Sequence, residues 1–452
     1  MCYSARGSSY NPKIMPDSKK PPSSEVKKPS TEGKKKPSAA ASSSVSAART
    51  ASSLSGTQPD ETVEDTGTDV IRKNPDLEIA QLRFLVGNTE YPPAAKKQAQ
   101  KELIEKIRLH NMAPYYRKNL CEELGIPKDE KLLAEMEQQN KETLKKLEDK
   151  IADAEENFGE SEVREALLAK AEYLAEIGDK DAAVSAFRRT YEKTVGMGNR
   201  IDLVFYQFRI GLFFMDNVLI SANLAKAKEL MEQGGDWDRK NRLKAYEAVY
   251  RLSVREFREA ADLFLDAVST FTSTELLSYS QLIFYTVVAA VFALDRPDLR
   301  EKVIRGAEIQ EQLHSQPELA TFLRSLYDCD YKAFFRSLSW LEEKLKTDRY
   351  TSPHAAYYVR GMRLKAYKQL LYSYRSLSLQ YMADQFGVSV DFVDKELHRM
   401  IAGGGLHCRI DAVNQIVETS QLDSKNYQYQ AVIRDGDIIL NRLQKLARVI
   451  NT

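Results

Sequence analysis

The chain has little cysteine. Four residues, at positions 2, 121, 329 and 408, are scattered over 452 positions without one C-x-x-C pair. That fits a reducing compartment and rules out a recognisable zinc frame. Histidine is almost as scarce: the five, at 110, 314, 354, 398 and 407, never fall in H-x-x-x-H or H-x-H spacing, so no metalloprotease site is visible. His398 and His407 lie near Cys408 in the sequence, but a fourth ligand is missing, and solvent-facing histidines are commoner than ligands. Net charge is nearly absent, with 66 Lys plus Arg against 65 Asp plus Glu, so no global field demands nucleic acid or an anionic membrane. No apolar secretory core opens the chain. The longest uncharged run, Leu276 to Leu294, approaches the roughly 20 residues of a bilayer span. Ser278, Ser280 and Gln281 dilute it and charged amphipathic segments flank it, so a buried helix in a soluble helical stack is expected.

Catalytic motifs are missing too. No G-x-S-x-G or Walker sequence occurs. Gly403-Gly404-Gly405 leaves a helix rather than opening one and lacks a following Lys-Ser or Lys-Thr, so it is a turn and not a phosphate loop. Carboxylates are plentiful but sit beside Lys and Arg, as on solvated helix faces. No catalytic, cofactor-binding or metal-binding residue is assigned.

Near the C-terminus the chain becomes informative. Leu379, Met382, Ala383 and Phe386 recur at i, i+3, i+4, i+7, the one-faced spacing of a core-seeking helix, with Ser376 or Ser378 as its N-cap. Gly387 ends it, and Val393, Leu397 and Met400 mark a second helix. After the glycine triplet, Leu406, Cys408 and Ile410 alternate with His407, Arg409 and Asp411 as in a half-buried strand, and Ile416-Val417 can pair with it. Helix, turn, helix and two-stranded ribbon is the order of a winged helix. Its second helix carries Asp391, Asp394 and Glu396 against Lys395 and Arg399. A groove-reading helix needs the opposite balance, so protein contact is favoured over DNA reading.

Residues 1 to about 70 are Ser, Pro, Lys, Ala and Thr, too poor in large aliphatics to offset ordering entropy, and are expected to be a disordered tail. Lys34-Lys35-Lys36-Pro37 within it matches an import address but equally a solvated tail. From Asn74 the composition is globular: Leu77, Ile79, Leu82 and Phe84-Leu85 open one helix, Ala94 to His110 form another, and Asn111–Tyr116 make a turn. Lys128 to Phe158 is expected as a long charged helix striped by Leu144, Leu147, Ile151, Ala154 and Phe158, packed on its own neighbours.

An internal repeat then sets the architecture. Residues 178–187, GDKDAAVSAF, are echoed by 255–264, REFREAADLF, Ala183 matching Ala260 and Phe187 matching Phe264. Ala227 and Met231 form a degenerate copy, and Tyr331, Phe334 and Phe335 a weaker one. Small residues let paired helices approach, and the aromatic fills the groove between pairs. The expected fold is mainly α: a tetratricopeptide-like α-solenoid, then the winged helix, then a C-terminal amphipathic helix. That last helix is expected from Asp437 to Ile450, with Ile439, Leu443, Leu446 and Ile450 on one stripe, detached by Gly436 and Gln428-Tyr429-Gln430. Fold-back and a bundle with other helices are equally open for it. The expected divisions are 1–70 tail, 71–160 N-terminal helices, 161–350 repeats, 351–420 winged-helix part and 421–452 linker and terminal helix.

Seven strings add a family resemblance: NMAPYY (111–116), GDKDAAVSAFRRTYEKT (178–194), GGDWDRKNRLKAY (234–246), LFLDAVSTFTS (263–273), RPDLREKVIRGAEI (296–309), SLSLQYMADQFGVSV (376–390) and RLQKLARVIN (442–451). Over roughly 71–452 the chain resembles PCI-domain scaffold proteins, and specifically the PCI-domain lid subunits of the 26S proteasome regulatory particle. The resemblance implies a non-catalytic scaffold in cytoplasm and nucleus. Its partners would be other PCI lid subunits and the rest of the regulatory particle, with no nucleic acid, membrane or cofactor. Winged helices would pack side by side through 376–419, and terminal helices would gather through Ile439, Leu443, Leu446 and Ile450. Deubiquitination in the lid belongs to a different, zinc-dependent subunit, in keeping with the missing H-x-H. A signalosome PCI subunit is the alternative, and a nucleic-acid-binding PCI protein a more distant one.

Overall fold

The computed structural model describes residues 73–419 and 424–450. The tail with Lys34-Lys35-Lys36-Pro37, and positions 420–423, lie outside the described residues.

Helices α1 (Leu77–Gly87) and α2 (Pro93–Leu109) pair first, followed by a single helical turn α3 (Ala113–Tyr115). The expected turn at 111–116 is therefore helical in part, and it runs on into a π-helical stretch, Tyr116–Glu123. Leu103, Ile107, Met112, Tyr115, Tyr116, Leu120 and Met136 form a core here, closed by Phe213 from the repeats. The long helix α4 is Glu130–Asn157, opened by Asp129, whose carboxylate accepts from the Lys131 and Leu132 amides. Ile151 and Ala154 of its stripe are buried, but Phe158 falls past the helix end and is exposed, so it leaves the stripe.

Four helix pairs build the solenoid: α5 (Glu160–Glu176) with α6 (Lys180–Glu192), α7 (Met197–Phe214) with α8 (Asn217–Gly234), α9 (Trp237–Ser253) with α10 (Phe257–Ala267), and later α14 (Pro317–Asp328) with α15 (Tyr331–Thr347). Between the last two run α11 (Tyr279–Ala293), α12 (Arg296–Leu299) and α13 (Ala307–Leu313), and α16 (Ala355–Tyr372) leads out. Ala183, Phe187, Ala260, Phe264 and Ala227 have no accessible surface. Met231 is half-buried, as is Phe335, whereas Phe334 is fully enclosed. Phe187 stacks on Tyr206 of α7 with ring centres 5.4 Å apart, and Phe264 on Tyr285 of α11 at 6.2 Å, so each repeat aromatic bridges to the next pair. Gly178 sits at φ +77, and a Cβ there would lie 2.8 Å from the Tyr115 Cβ, so both turn and packing require glycine.

The apolar run is α11, enclosed on nearly every side. No helix among the described residues is long and apolar enough to cross a membrane.

The N-terminal helices do not simply extend the stack. Gln81 of α1 donates to Thr347 O at 2.6 Å and accepts from the Arg349 amide at 3.2 Å, and Asn88 donates to Lys346 O at 3.1 Å. The start of the globular chain is thus tied to the end of α15. His110 and Asn74 both reach Glu176 of α5, tying the same helices to the first repeat pair as well.

The winged-helix part comprises β1 (Ser376–Ser378), α17 (Leu379–Phe386), α18 (Val390–Ala402), β2 (Cys408–Asp411) and β3 (Ile416–Thr419). The sheet has three strands in the order β1-β3-β2, all antiparallel, not the expected two. Ser376 lies in β1 and caps nothing. β1 escapes sequence reading because it is three residues long and abuts the cap of α17.

The last helix, α19, spans Ser424–Ile450, 27 residues. It therefore starts 13 positions before the expected Asp437, and Gly436 and Gln428-Tyr429-Gln430 lie inside it rather than detaching it. A single glycine costs a helix about 1 kcal/mol, too little to stop 27 residues of mostly good formers.

Candidate interaction site

Local chemistry fixes the winged helix. Ser378 accepts from the Tyr381 amide at 3.3 Å to start α17, and Gly387, at φ +66, ends it. Ser389 accepts from the Phe392 amide at 3.4 Å to start α18. Leu379, Met382, Phe386, Val393, Leu397 and Met400 are all buried, with Val417 of β3 completing their core. Thr419 closes the sheet at its base, its amide and hydroxyl both donating to Arg375 O.

The module is locked to the solenoid rather than hung from it. The Phe386 ring meets those of Tyr331, Phe335 and Tyr367 at 4.8, 4.8 and 4.7 Å. Glu396 of α18 accepts from the Tyr367 hydroxyl at 2.6 Å and pairs with Arg363 at 2.8 Å. Burial, with Glu396 adding to it, pushes the Tyr367 hydroxyl far above its ordinary range, so it stays a donor. One of the acids that makes α18 a poor groove reader is therefore an internal tether. The outward face of α18 keeps Asp391, Asp394, Lys395, His398 and Arg399 exposed with Phe392, and no cationic excess results.

His398 and His407 are exposed while Cys408 is buried in the sheet, where burial pushes its thiol up. Among the described residues no group of three His, Cys, Asp or Glu is placed to hold a metal ion.

In contrast, α19 buries almost nothing. Ile439, Leu443, Leu446 and Ile450 are 57%, 57%, 55% and 72% exposed. Val432, Ile433 and Leu440 are likewise open, and at 100° per residue they widen the stripe to a broad apolar face. Among the described residues, nothing folds back to bury this face of α19. A soluble chain rarely leaves such a contiguous face to water unless a partner covers it.

Sequence reasoning missed the pieces that join modules: Glu396 under α16, Gln81 against 347–349, and Lys365 of α16, whose ammonium donates to Val291 O and Leu294 O at 2.6 Å each. Each links positions 29 to 268 apart in sequence, and no periodicity carries such a signal.

A helical-repeat stack running into a winged helix defines a PCI-domain protein, and the PCI family model matches residues 323–421. Two further models match on either side: 26S proteasome subunit RPN7 over 129–302, and the C-terminal helix of the 26S proteasome regulatory subunit RPN7/PSMD6 over 428–450. The chain is 54% identical to the Caenorhabditis elegans 26S proteasome non-ATPase regulatory subunit 6 over 390 residues, covering 85% of this chain and 95% of that one. It is 48% identical to the Arabidopsis thaliana 26S proteasome non-ATPase regulatory subunit 6 homolog, over 84% and 98% of the two chains. To the Saccharomyces cerevisiae 26S proteasome regulatory subunit RPN7 it is 36% identical, over 84% and 94%. The chain belongs to the RPN7/PSMD6 family of proteasome regulatory subunits.

Proposed function

We propose that this chain is a non-catalytic structural subunit of the lid of the 26S proteasome regulatory particle, serving ATP- and ubiquitin-dependent protein degradation by holding its neighbours in place. The exposed apolar face of α19 carries the reading, together with family membership. The winged helix, 376–419, would contact other PCI lid subunits edge to edge, since a β1-β3-β2 sheet puts β1 and β2 at its edges. Ile439, Leu443, Leu446 and Ile450 would enter a bundle of terminal helices. The five-part division 1–70, 71–160, 161–350, 351–420 and 421–452 is the working plan of this scaffold, and cytoplasm and nucleus its location. The relatives are named as proteasome regulatory subunits, which favours the lid over the signalosome.

Affinity purification of the tagged chain from its own cells, with mass spectrometry and a peptide-hydrolysis assay, tests this. Recovery of ATPase and core-protease subunits with peptidase activity supports the lid; a complex without either sinks it. The double variant Leu443→Glu, Leu446→Glu should fold normally and lose incorporation. Normal incorporation would remove α19 from the mechanism.

A further inference from the structure

Two cationic side chains stand over one tyrosine ring where the first two repeat pairs meet, and a third lies one turn before that tyrosine on its helix. Lys226 Nζ, on α8, stands 3.5 Å from the centre of the Tyr191 ring of α6. The guanidinium carbon of Arg200, on α7, lies 5.3 Å from the same centre, and its Nε donates to Thr194 O at 2.6 Å. Arg188 precedes Tyr191 by one turn on α6 and so shares its face. Burial, then the nearby charges of Arg188 and Arg200, hold the Lys226 ammonium below the usual lysine range, and Glu229 offsets them only in part.

Their neighbours are arranged otherwise. Arg189 pairs with Glu155 at 3.2 Å and Lys228 with Glu247 at 2.6 Å. Among the described residues, none of Arg188, Arg200 and Lys226 has a carboxylate within ion-pair distance. Like charges this close repel, and an anion seated among them would stabilise the fold by its own binding. Helix α7 also begins within one turn of Arg200, and its N-cap, Gly196, supplies no side-chain oxygen to the first amides, leaving them available to an anion.

We propose that Arg188, Arg200 and Lys226 form a binding site for a phosphate group, seated between α6 and α8 at the start of α7. Phosphate suits the cluster better than carboxylate. A phosphate monoester carries nearly two negative charges and three strong acceptor oxygens, one for each cation, whereas a carboxylate brings one charge and two oxygens. The chemistry is shared by a phosphorylated side chain and by a free polyphosphate. The site is separate from the surfaces proposed for assembly and does not rest on them.

Isothermal titration of the full chain with inorganic pyrophosphate, and separately with a phosphoserine peptide of otherwise neutral sequence, tests the site. Saturable one-to-one binding of at least one probe is expected, weakened about tenfold or more in Arg188→Gln and further in Arg188→Gln, Lys226→Gln, with Lys445→Gln on α19 binding like the wild type. Arg188 is exposed, so its single variant keeps the fold, which circular dichroism checks. Preference for pyrophosphate identifies a free polyphosphate as the ligand, and preference for the peptide a phosphorylated chain. The proposal is overturned if neither probe saturates by about 1 mM, if a glutamate peptide binds as tightly as its phosphoserine counterpart, or if Arg188→Gln leaves binding unchanged.

Discussion

The Tyr285 hydroxyl donates to Asp348 Oδ1 across 2.9 Å, joining the most apolar helix of the solenoid to the loop that ends α15. The other oxygen of Asp348 accepts from the Thr351 amide at 3.1 Å and its hydroxyl at 2.9 Å. Burial pushes the Asp348 carboxyl up, and these hydrogen bonds pull it back. Next to it, buried Arg349 donates to Leu212 O and to the Tyr350 hydroxyl. The loop 348–351 is thus a polar knot inside an apolar stack.

Removing one strand of that knot should be costly. Tyr285→Phe keeps the ring against Phe264 but leaves Asp348 short of a donor. A hydrogen bond to a charged group contributes about 1.5–3 kcal/mol, and thermal and urea melts should show a loss in that range. A cost below about 0.5 kcal/mol would mean that the carboxylate finds another donor.

Lys365 gives a pH dependence with a definite sign. Burial depresses its ammonium from 10.5 to about 8, opposed only by Asp295. The unfolded chain therefore binds the proton more tightly than the folded one between about pH 8 and 10.5, and folding stability from this group rises with pH across that window. Below about pH 8 the cost of burying the charge is present in full. Lys365→Met deletes the titration, and it also leaves Val291 O and Leu294 O without this donor. The destabilisation of Lys365→Met relative to wild type should grow from pH 7.5 to 9.5, on the order of 1–3 kcal/mol. Using the difference cancels the buried tyrosines common to both. A flat difference across that range would show that the ammonium is held charged by the carbonyls.

The repeat and winged-helix cores were legible because burial leaves a local trace. Ala183 and Phe187 recur as Ala260 and Phe264, and Leu379 to Phe386 keep the helical period. The start of α19 is not legible, for the opposite reason. Gly436 looks like a helix stop in the sequence, although its residue-level cost is small beside the propagation of a long helix. β1 was hidden because Leu377 is its single buried residue, and one position has no period. What joins the modules was not readable, since Gln81 looks like any polar residue on an amphipathic helix until position 347 is known to lie beside it.

That contact makes its own prediction. Gln81 presents both ends of its amide to backbone groups of 347 and 349, much as a paired strand would. Gln81→Ala removes both bonds, so amide exchange should quicken together in α1 and around 346–351 while the winged helix stays protected. Faster exchange confined to α1 would show that the loop is held by Asp348 and Arg349 alone.

Phe386 decides how rigidly the winged helix is carried. It belongs to the module's own core, yet three of its aromatic neighbours, Tyr331, Phe335 and Tyr367, belong to α15 and α16. Such ring contacts add about 0.5–1.5 kcal/mol each beyond area burial, and a Phe→Ala truncation in a core costs about 3–5 kcal/mol. The loss should not spread evenly over the chain. Ser378, Gly387 and Ser389 still define the helices of the module in Phe386→Ala, whereas the joint loses three ring contacts and keeps the Glu396 tether to Tyr367 and Arg363, so the truncation weakens the joint more than the parts. Limited proteolysis should then cut first near Ser373–Arg375, between α16 and β1, releasing a fragment that contains the winged helix while the repeats resist. Uniform sensitivity along the chain would show instead that Phe386 supports one continuous core, with the winged helix and solenoid melting as a single unit.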